Sequence, residues 1–337
     1  MSEIGQSSPK PMKIQMVTCR RAARITMDFM LSLLVALLAL AAPEQNQAPP
    51  SLAEIVSRVA EEADVFYQNA PKALTQETLE QRALLPASRF RPRIGKAATE
   101  APKPRMQVRE IVSEYSVGTL RQSESRDLVE FRQVVSVDGR RVQSAESARH
   151  ALSLGIQSQD DRLRKRMLED FASHGLVDVA TDYGLILLAF TRRGLAQLEI
   201  LPAGEDRVGA ETAAVLSWRE VSGAGAELEF NGKRAVRRAL QGKLWVRKSD
   251  GLPLRVATWA EHGDAGHKTR DEATVDYILS SHGFLTPVSV VHRHVVDGQL
   301  ITENLYHYDP FKLFIADTEI KFTELPETLP PPPPDKK

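Results

Sequence analysis

The histidines near the C-terminal end form the chain's most chemically specific pattern. His292 and His294 stand two apart in an alternating run, so they share one face of a strand, and His307 falls in the next run. Three imidazoles on one sheet face would form a Zn²⁺ ligand set. No cysteine or acidic partner stands at a recognisable ligand spacing, and strand histidines more often hydrogen-bond at a surface. No metal and no cofactor is therefore expected. His262 and His267 flank Gly263-Asp-Ala-Gly266 and read as solvated turn residues. Nucleophilic catalysis needs an activated Ser, Cys or Thr. No Gly-x-Ser-x-Gly elbow, His-Glu-x-x-His pair or Gly-rich phosphate loop occurs. Asp160 and Asp161 are adjacent, so they point apart and read as helix-start charges. Trp245 and Trp259 are expected to face each other across a hairpin, as a packing pair rather than a sugar platform. The residues predict a non-catalytic protein.

The elements that carry these residues are strands. Gly242-Lys-Leu-Trp-Val-Arg247 and Leu254-Arg-Val-Ala-Thr-Trp259 alternate apolar and polar residues on either side of Ser249-Asp-Gly-Leu-Pro253. Asp-Gly tolerates the positive φ of tight turns, so this is a hairpin. Further Asp-Gly pairs stand at Asp138-Gly139 and Asp297-Gly298. Strands are expected at Met106–Glu114, Leu128–Val137, Leu185–Phe190 (a buried one), Leu195–Leu201, Ala213–Val221, Glu227–Phe230, Ala273–Leu279, Leu285–Val296, Leu300–Tyr308 and Lys312–Phe322. Helices are expected at Leu52–Gln68, opened by a Ser51/Glu54 capping box and closed by Pro71, and at Gln76–Leu84, Ser144–Leu154 and Gln159–His174. The fold class is α+β, a curved, half-barrel-like antiparallel sheet packed against N-terminal and inserted helices. In Leu285–Val296 one face offers Leu285, Pro287, Ser289, Val291, Arg293 and Val295, the other Thr286, Val288, Val290, His292, His294 and Val296. Both are partly apolar, so one is expected to pack on helices and the other to line a groove, although core burial explains the same residues.

The N-terminal stretch carries an address. Arg20, Arg21 and Arg24 precede an apolar run, Phe29–Ala42, of about 14 residues, shorter than the roughly 20 a membrane helix needs. With the small residues of Ala39-Leu-Ala41 this is a secretory signal peptide over residues 1–41, or else an uncleaved anchor. Export to the periplasm or the extracellular space follows. Cys19, the only cysteine, lies on the basic side of the run, so the exported part has neither a disulfide nor a lipobox cysteine. The chain holds 44 basic and 44 acidic residues. The first 41 take five and two of these, leaving 39 against 42, a balance that argues against nucleic acid. Residues 42–105 hold the N-terminal helices and a basic, Pro-bearing loop, read as a solvated linker rather than a lipid-touching arm. Residues 106–323 form the sheet domain, and residues 324–337 a tail with a run of five prolines, Pro330–Pro334. Membrane contact is expected only through the signal peptide or transiently.

Gly242-Lys-Leu-Trp-Val-Arg-Lys-Ser-Asp-Gly-Leu-Pro-Leu-Arg-Val256, followed by the Tyr277 strand, Gly283-Phe-Leu-Thr-Pro287 and Tyr306–Phe311, resembles the strand-turn-strand unit of the periplasmic lipoprotein-carrier superfamily. That group includes the outer-membrane lipoprotein-sorting carrier and its sigma-regulator relatives. The likeness covers Gly242–Phe322. It implies a half-barrel wrapped around helices, with an apolar concave face that holds acyl chains. The N-terminal extension and the helices of Ser144–His174 depart from that pattern. Ser51–Leu201 is similar to uncharacterised secreted bacterial proteins through Phe131-Arg-Gln-Val-Val-Ser-Val-Asp-Gly139, a likeness that brings no function. The expected ligand-binding residues are Leu244, Val246, Leu254, Val256, Val288 and Val290, and the expected partner is an apolar ligand or a lipidated protein. The alternatives are an envelope interaction or sensor module, and a hydrolase with an unrecognised site.

Overall fold

The structure, a computed structural model, describes residues 50–87, 103–120, 128–158, 161–177, 182–221, 227–231, 234–264 and 266–314. The signal segment, most of the basic loop, the Lys312–Phe322 strand beyond residue 314 and the proline tail lie outside the described residues.

Helix α1 (Leu52–Asn69) begins at the expected capping box. Glu54 N donates to Ser51 Oγ at 3.3 Å, and Ser51 N donates back to Glu54 Oε2 at 2.7 Å. Pro71 lies in a short 3₁₀ turn, Ala70–Lys72, that ends it. Strands β1 (Ala73–Leu85), β2 (Arg105–Thr119), β3 (Leu128–Val137) and β4 (Arg140–Arg141) follow. Helices α2 (Ala145–Gln157) and α3 (Asp161–Ala172) come next, then a 3₁₀ helix over Tyr183–Phe190 and the single turn α4 (Arg192–Leu195). The rest is strand: β5 (Leu198–Val208), β6 (Glu211–Glu220), β7 (Glu227–Asn231), β8 (Arg234–Arg238), β9 (Gln241–Arg247), β10 (Pro253–Asp264), β11 (His267–Leu279), β12 (Leu285–Val296), β13 (Gln299–Tyr308) and β14 (Lys312–Leu313). Twelve strands make one open antiparallel sheet in the order β4-β3-β2-β1-β13-β12-β11-β10-β9-β6-β5, with β14 beside β1. β7 and β8 pair apart from it. The fold is the α+β arrangement expected, a curved sheet with a few helices.

Two expected elements differ. Gln76–Leu84 is strand, not helix. Its inward positions are Thr75, Glu77, Leu79, Gln81 and Ala83, all buried. Glu77 and Gln81 disguise the period of two, and they are inward because Arg132 and Asn304 satisfy them. Leu185–Phe190 is 3₁₀ helix, not strand. A short apolar run does not by itself distinguish helix from strand, and no neighbouring strand takes it up.

Registers define the two faces. One inner row crosses eight strands: Ile111, Leu79, Tyr306, Val290, Val275, Val256, Leu244 and Leu216, each directly opposite the next and all buried. A second row, more polar, runs beside it: Gln81, Asn304, His292, Ala273, Thr258, Gly242 and Trp218. Val59, Ala63 and Phe66 of α1 and Leu185, Leu187 and Phe190 of the 3₁₀ helix join these residues in one core. The outer face is divided. Over β2 and β3 it is covered by α2 and α3, where Phe131, Leu152 and Met167 form a second core. From β1 to β10 it carries a ladder of charges. Glu303 joins Arg82 (3.5 Å) and Arg293 (2.9 Å), and Arg270 joins Glu272 (2.9 Å) and Glu261 (2.7 Å). That face is solvated, so it is not the expected groove.

Asp138-Gly139 and Asp297-Gly298 have positive φ at both residues, the geometry of two-residue hairpins that match strand twist. Trp245 and Trp259 do share the outer face, but they are not opposite each other. Trp245 pairs with Arg255 and Trp259 with Gln241. Trp245 Nε1 donates to Asp206 Oδ2 at 3.1 Å, and the Arg270 guanidinium covers Trp259 at 5.4 Å.

Gly242 is where the inner rows come closest to backbone. A Cβ there would stand 1.9 Å from the Ala257 carbonyl oxygen and 2.8 Å from Trp218 Nε1. Gly242→Ala is expected to destabilise the protein by at least about 2 kcal/mol in urea unfolding, because the opposing group is backbone and cannot rotate away.

Candidate functional site

The six residues expected to bind a ligand divide in the structure. Leu244, Val246, Val256 and Val290 are at most 1% exposed and Leu254 is 8% exposed. Leu244, Val246, Val256 and Val290 share one core with α1 and the 3₁₀ helix. Their side chains therefore lie under a cover and not in an open groove. Val288 is the extra residue of a bulge in β12, since Tyr277 pairs with Pro287 while Asp276 pairs with Ser289. The bulge breaks the simple alternation that put Val288 on the face of Val290.

The cover itself is unusual. Eight consecutive residues, Tyr183–Phe190, are in 3₁₀ conformation, whereas runs beyond three or four residues are uncommon because the hydrogen-bond geometry is poor. Every residue from Leu185 to Phe190 is apolar. Polar groups of the sheet hold this segment and the one before it. Tyr277, on β11, accepts from Leu187 N (3.2 Å) and donates to Gly184 O (3.0 Å). Gln81 brackets Val177, donating to its carbonyl and accepting from its amide, both at 2.8 Å. Asp182, at φ 69°, and Glu130 exchange two bonds. Asp182 N donates to Glu130 Oε2 (2.9 Å), and Glu130 N donates to Asp182 Oδ1 (2.8 Å). Gly184 is required here, because a Cβ would stand 2.6 Å from Glu130 Oε1.

Glu130 belongs to a buried charged cluster. Arg132 Nε and Nη2 donate to the two oxygens of Glu77 at 2.6 and 2.7 Å, and Nη2 also donates to Glu130 Oε2 at 2.7 Å. Tyr115 donates to Glu130 Oε1 at 3.0 Å. The guanidinium lies 5.1, 4.9 and 5.5 Å from the ring centroids of Tyr115, Phe171 and Tyr306. Burial alone would lower the Arg132 pKa, but Glu77 and Glu130 outweigh it and hold it well above its usual value. Burial pushes the Glu77 carboxyl up, against the pull of Arg132. Burial also raises the hydroxyls of Tyr115, Tyr306 and Tyr308. One cation faces two carboxylates, so the cluster carries an excess negative charge whenever both are ionised. This cluster escaped the sequence reading. Its only signal was a charge at every second position, Glu130 and Arg132, inside an apolar strand.

The histidines resolve differently from a metal set. His292 and His294 share the inner face, but His307 opposes Ser289 and is exposed on the outer face. Asn304 Nδ2 meets His292 Nδ1 at 3.1 Å, and Tyr183 stacks on the His292 ring at 5.1 Å. Asp271 Oδ1 lies 2.6 Å from His294 Nδ1 and 3.7 Å from His292 Nε2. Burial would raise the Asp271 carboxyl, but its bonds to His292 and His294 outweigh that and hold it well below the usual carboxylate range. Among the described residues no group of three His, Cys, Asp or Glu side chains is placed to hold a metal ion.

No family model matches the chain, and no curated protein matches it. Three solved structures align with most of it. A DUF1329 family protein from Desulfovibrio piger is 11% identical, covering 77% of this chain and 94% of its own at a TM-score of 0.32. A putative outer membrane lipoprotein-sorting protein domain from Vibrio parahaemolyticus is 6% identical, covering 77% and 95% at 0.28. MucB in complex with MucA is 10% identical, covering 75% and 98% at 0.18. These are loose likenesses over most of the chain.

Removing Arg132 leaves two buried carboxylates without their cation. Arg132→Met is expected to cost about 3–5 kcal/mol in denaturant unfolding. Glu77 gives the pH dependence. Its folded pKa is raised, so its contribution is fully present below the unfolded value, about 4.3, and is lost as pH rises through the folded value. Subtracting the stability of Glu77→Gln from that of the parent, pH by pH, should give a difference that declines upward from about pH 4.3. A flat difference would contradict a raised Glu77.

Proposed function

We propose that the protein is an exported, non-catalytic carrier that holds an acyl chain or similar apolar ligand against the inner face of its sheet. In this reading Tyr183–Phe190 is a displaceable cover whose apolar side chains occupy the ligand's place when it is absent. One observation carries the proposal: an eight-residue all-3₁₀ segment, apolar from Leu185 onward, lies on the apolar inner row and is tied to the sheet by a few polar bonds. A cover built for permanence would be a regular helix with an amphipathic stripe, as α1 is. The buried Trp218 N–H, which has no acceptor among the described residues, would donate to the ester or carboxylate end of such a ligand. The lipoprotein-carrier resemblance of Gly242–Phe322 and the signal-like N-terminus agree with this reading.

The test is organic extraction and mass spectrometry of protein recovered from a bacterial periplasm, followed by titration with a fluorescent polyene fatty acid. Stoichiometric acyl chains, or saturable uptake, are expected. Tyr277→Phe frees Gly184 O and Leu187 N, and should raise the rate of uptake severalfold while lowering thermal stability slightly. Clean protein that takes up no fatty acid, in parent and variant alike, would refute the carrier reading and favour the interaction module.

A further inference from the structure

The 3₁₀ cover follows one row of the sheet and touches both of its ends. Tyr183, the first residue of the cover, stacks on His292 of β12 with ring centroids 5.1 Å apart. Phe190, the last, meets Trp218 of β6 edge to face at 5.4 Å. Between them Gly184 O and Leu187 N bond to Tyr277 of β11. From His292 to Trp218 the row runs through Ala273, Thr258 and Gly242, each directly opposite the next. These three are small and buried. The row beside them carries Val290, Val275, Val256, Leu244 and Leu216. Under the cover the sheet therefore forms a shallow trough with an aromatic ring at each end.

Two lengths agree. Four strand steps separate His292 from Trp218, about 19 Å at the usual spacing. Eight residues of 3₁₀ helix rise about 16 Å. The two ends differ in chemistry. The ring nitrogens of His292 already face Asn304 Nδ2 (3.1 Å) and Asp271 Oδ1 (3.7 Å). Trp218 is 3% exposed, and its Nε1 has no acceptor among the described residues. That nitrogen stands over the trough floor, 2.8 Å from the place a Cβ on Gly242 would take. No lysine or arginine stands between Trp218 and His292 in this row or in the apolar row beside it.

A straight chain with C–C bonds of about 1.5 Å advances about 1.25 Å per carbon, so about 19 Å holds about 15 carbons. We infer that the trough takes one straight-chain acyl ester of about 15 carbons, its carbonyl oxygen on Trp218 Nε1 and its methyl end at His292. An ester fits better than a free acid because the unpaired donor is neutral. A carboxylate at Trp218 would be buried without a cation. Since this rests on the carrier reading, the cover leaves the trough when the ester enters.

The test is equilibrium uptake of radiolabelled saturated methyl esters and free acids of graded length, delivered from cyclodextrin to protein recovered from a periplasm and freed of lipid. Ester affinity should climb about fourfold per carbon up to about 15 carbons and then stop rising. At that length the ester should bind roughly tenfold tighter than the acid. Trp218→Phe should weaken ester binding roughly tenfold and abolish the preference over the acid. Ala273→Val, three strand steps from Trp218, should move the break to about 11 carbons. The length series and the ester-to-acid ratio are read on the parent protein, so they decide even where a variant fails to fold. If no probe binds, the carrier reading falls and this inference with it. If probes bind but affinity keeps rising past about 18 carbons, or ester and acid bind equally, this inference alone is overturned. A folded Trp218→Phe protein that keeps the ester preference would overturn it too.

Discussion

Arg132 is the residue on which the rest of the inner face depends. Its guanidinium is buried, and burial of a cation is tolerable only when carboxylates surround it with good geometry. Glu77 reaches it from β1 and Glu130 from its own strand, with Tyr115 of β2 completing the hydrogen bonds of Glu130. The cluster therefore fixes the three strands at one end of the sheet. The same carboxylate of Glu130 holds Asp182, where the chain turns through a left-handed residue into the cover. One cation thus determines both how β1, β2 and β3 are locked and where the 3₁₀ segment begins.

From that anchor the inner face changes character along the sheet. Near β3 it is charged, across β1 and β13 it is polar with Gln81 and Asn304, and from β12 to β6 it is mainly apolar beside the His292, His294 and Asp271 group. The cover follows the same gradient, polar at Asp182 and apolar by Leu185. It is held by Glu130 at the charged end, by Tyr277 midway, and just past its apolar end by the Arg192–Asp64 ion pair to α1 at 3.3 Å. The outer face is laced by the Arg and Glu side chains of β1 and β10–β13.

Most of the strands were legible because they alternate cleanly and their turns are Asp-Gly. Leu285–Val296 and its neighbours are of this kind, and so is the capped helix α1. The parts that were not legible are those where tertiary partners override local pattern. Glu77 and Gln81 point inward, so β1 lost its alternation to the eye and looked helical. Leu185–Phe190 has no period at all, and its conformation is set by the surfaces above and below it. Most of the residues expected to bind a ligand are buried in the core. Leu244, Val256 and Val290 do lie in one transverse row, but sequence could not show that the chain covers that row with its own residues. A bulge at Val288 is likewise invisible without the pairing register.

The central claim is that Glu130 and Arg132 tether a cover that can open without the sheet unfolding. Amide hydrogen exchange in the parent and in Glu130→Gln tests it most directly. The account predicts that Asp182–Phe190 exchange faster than the inner strands in the parent, and that Glu130→Gln accelerates that segment strongly while β9–β12 keep their protection. Uniform loss of protection across sheet and cover, or a cover as protected as Val256 and Val275, would contradict it.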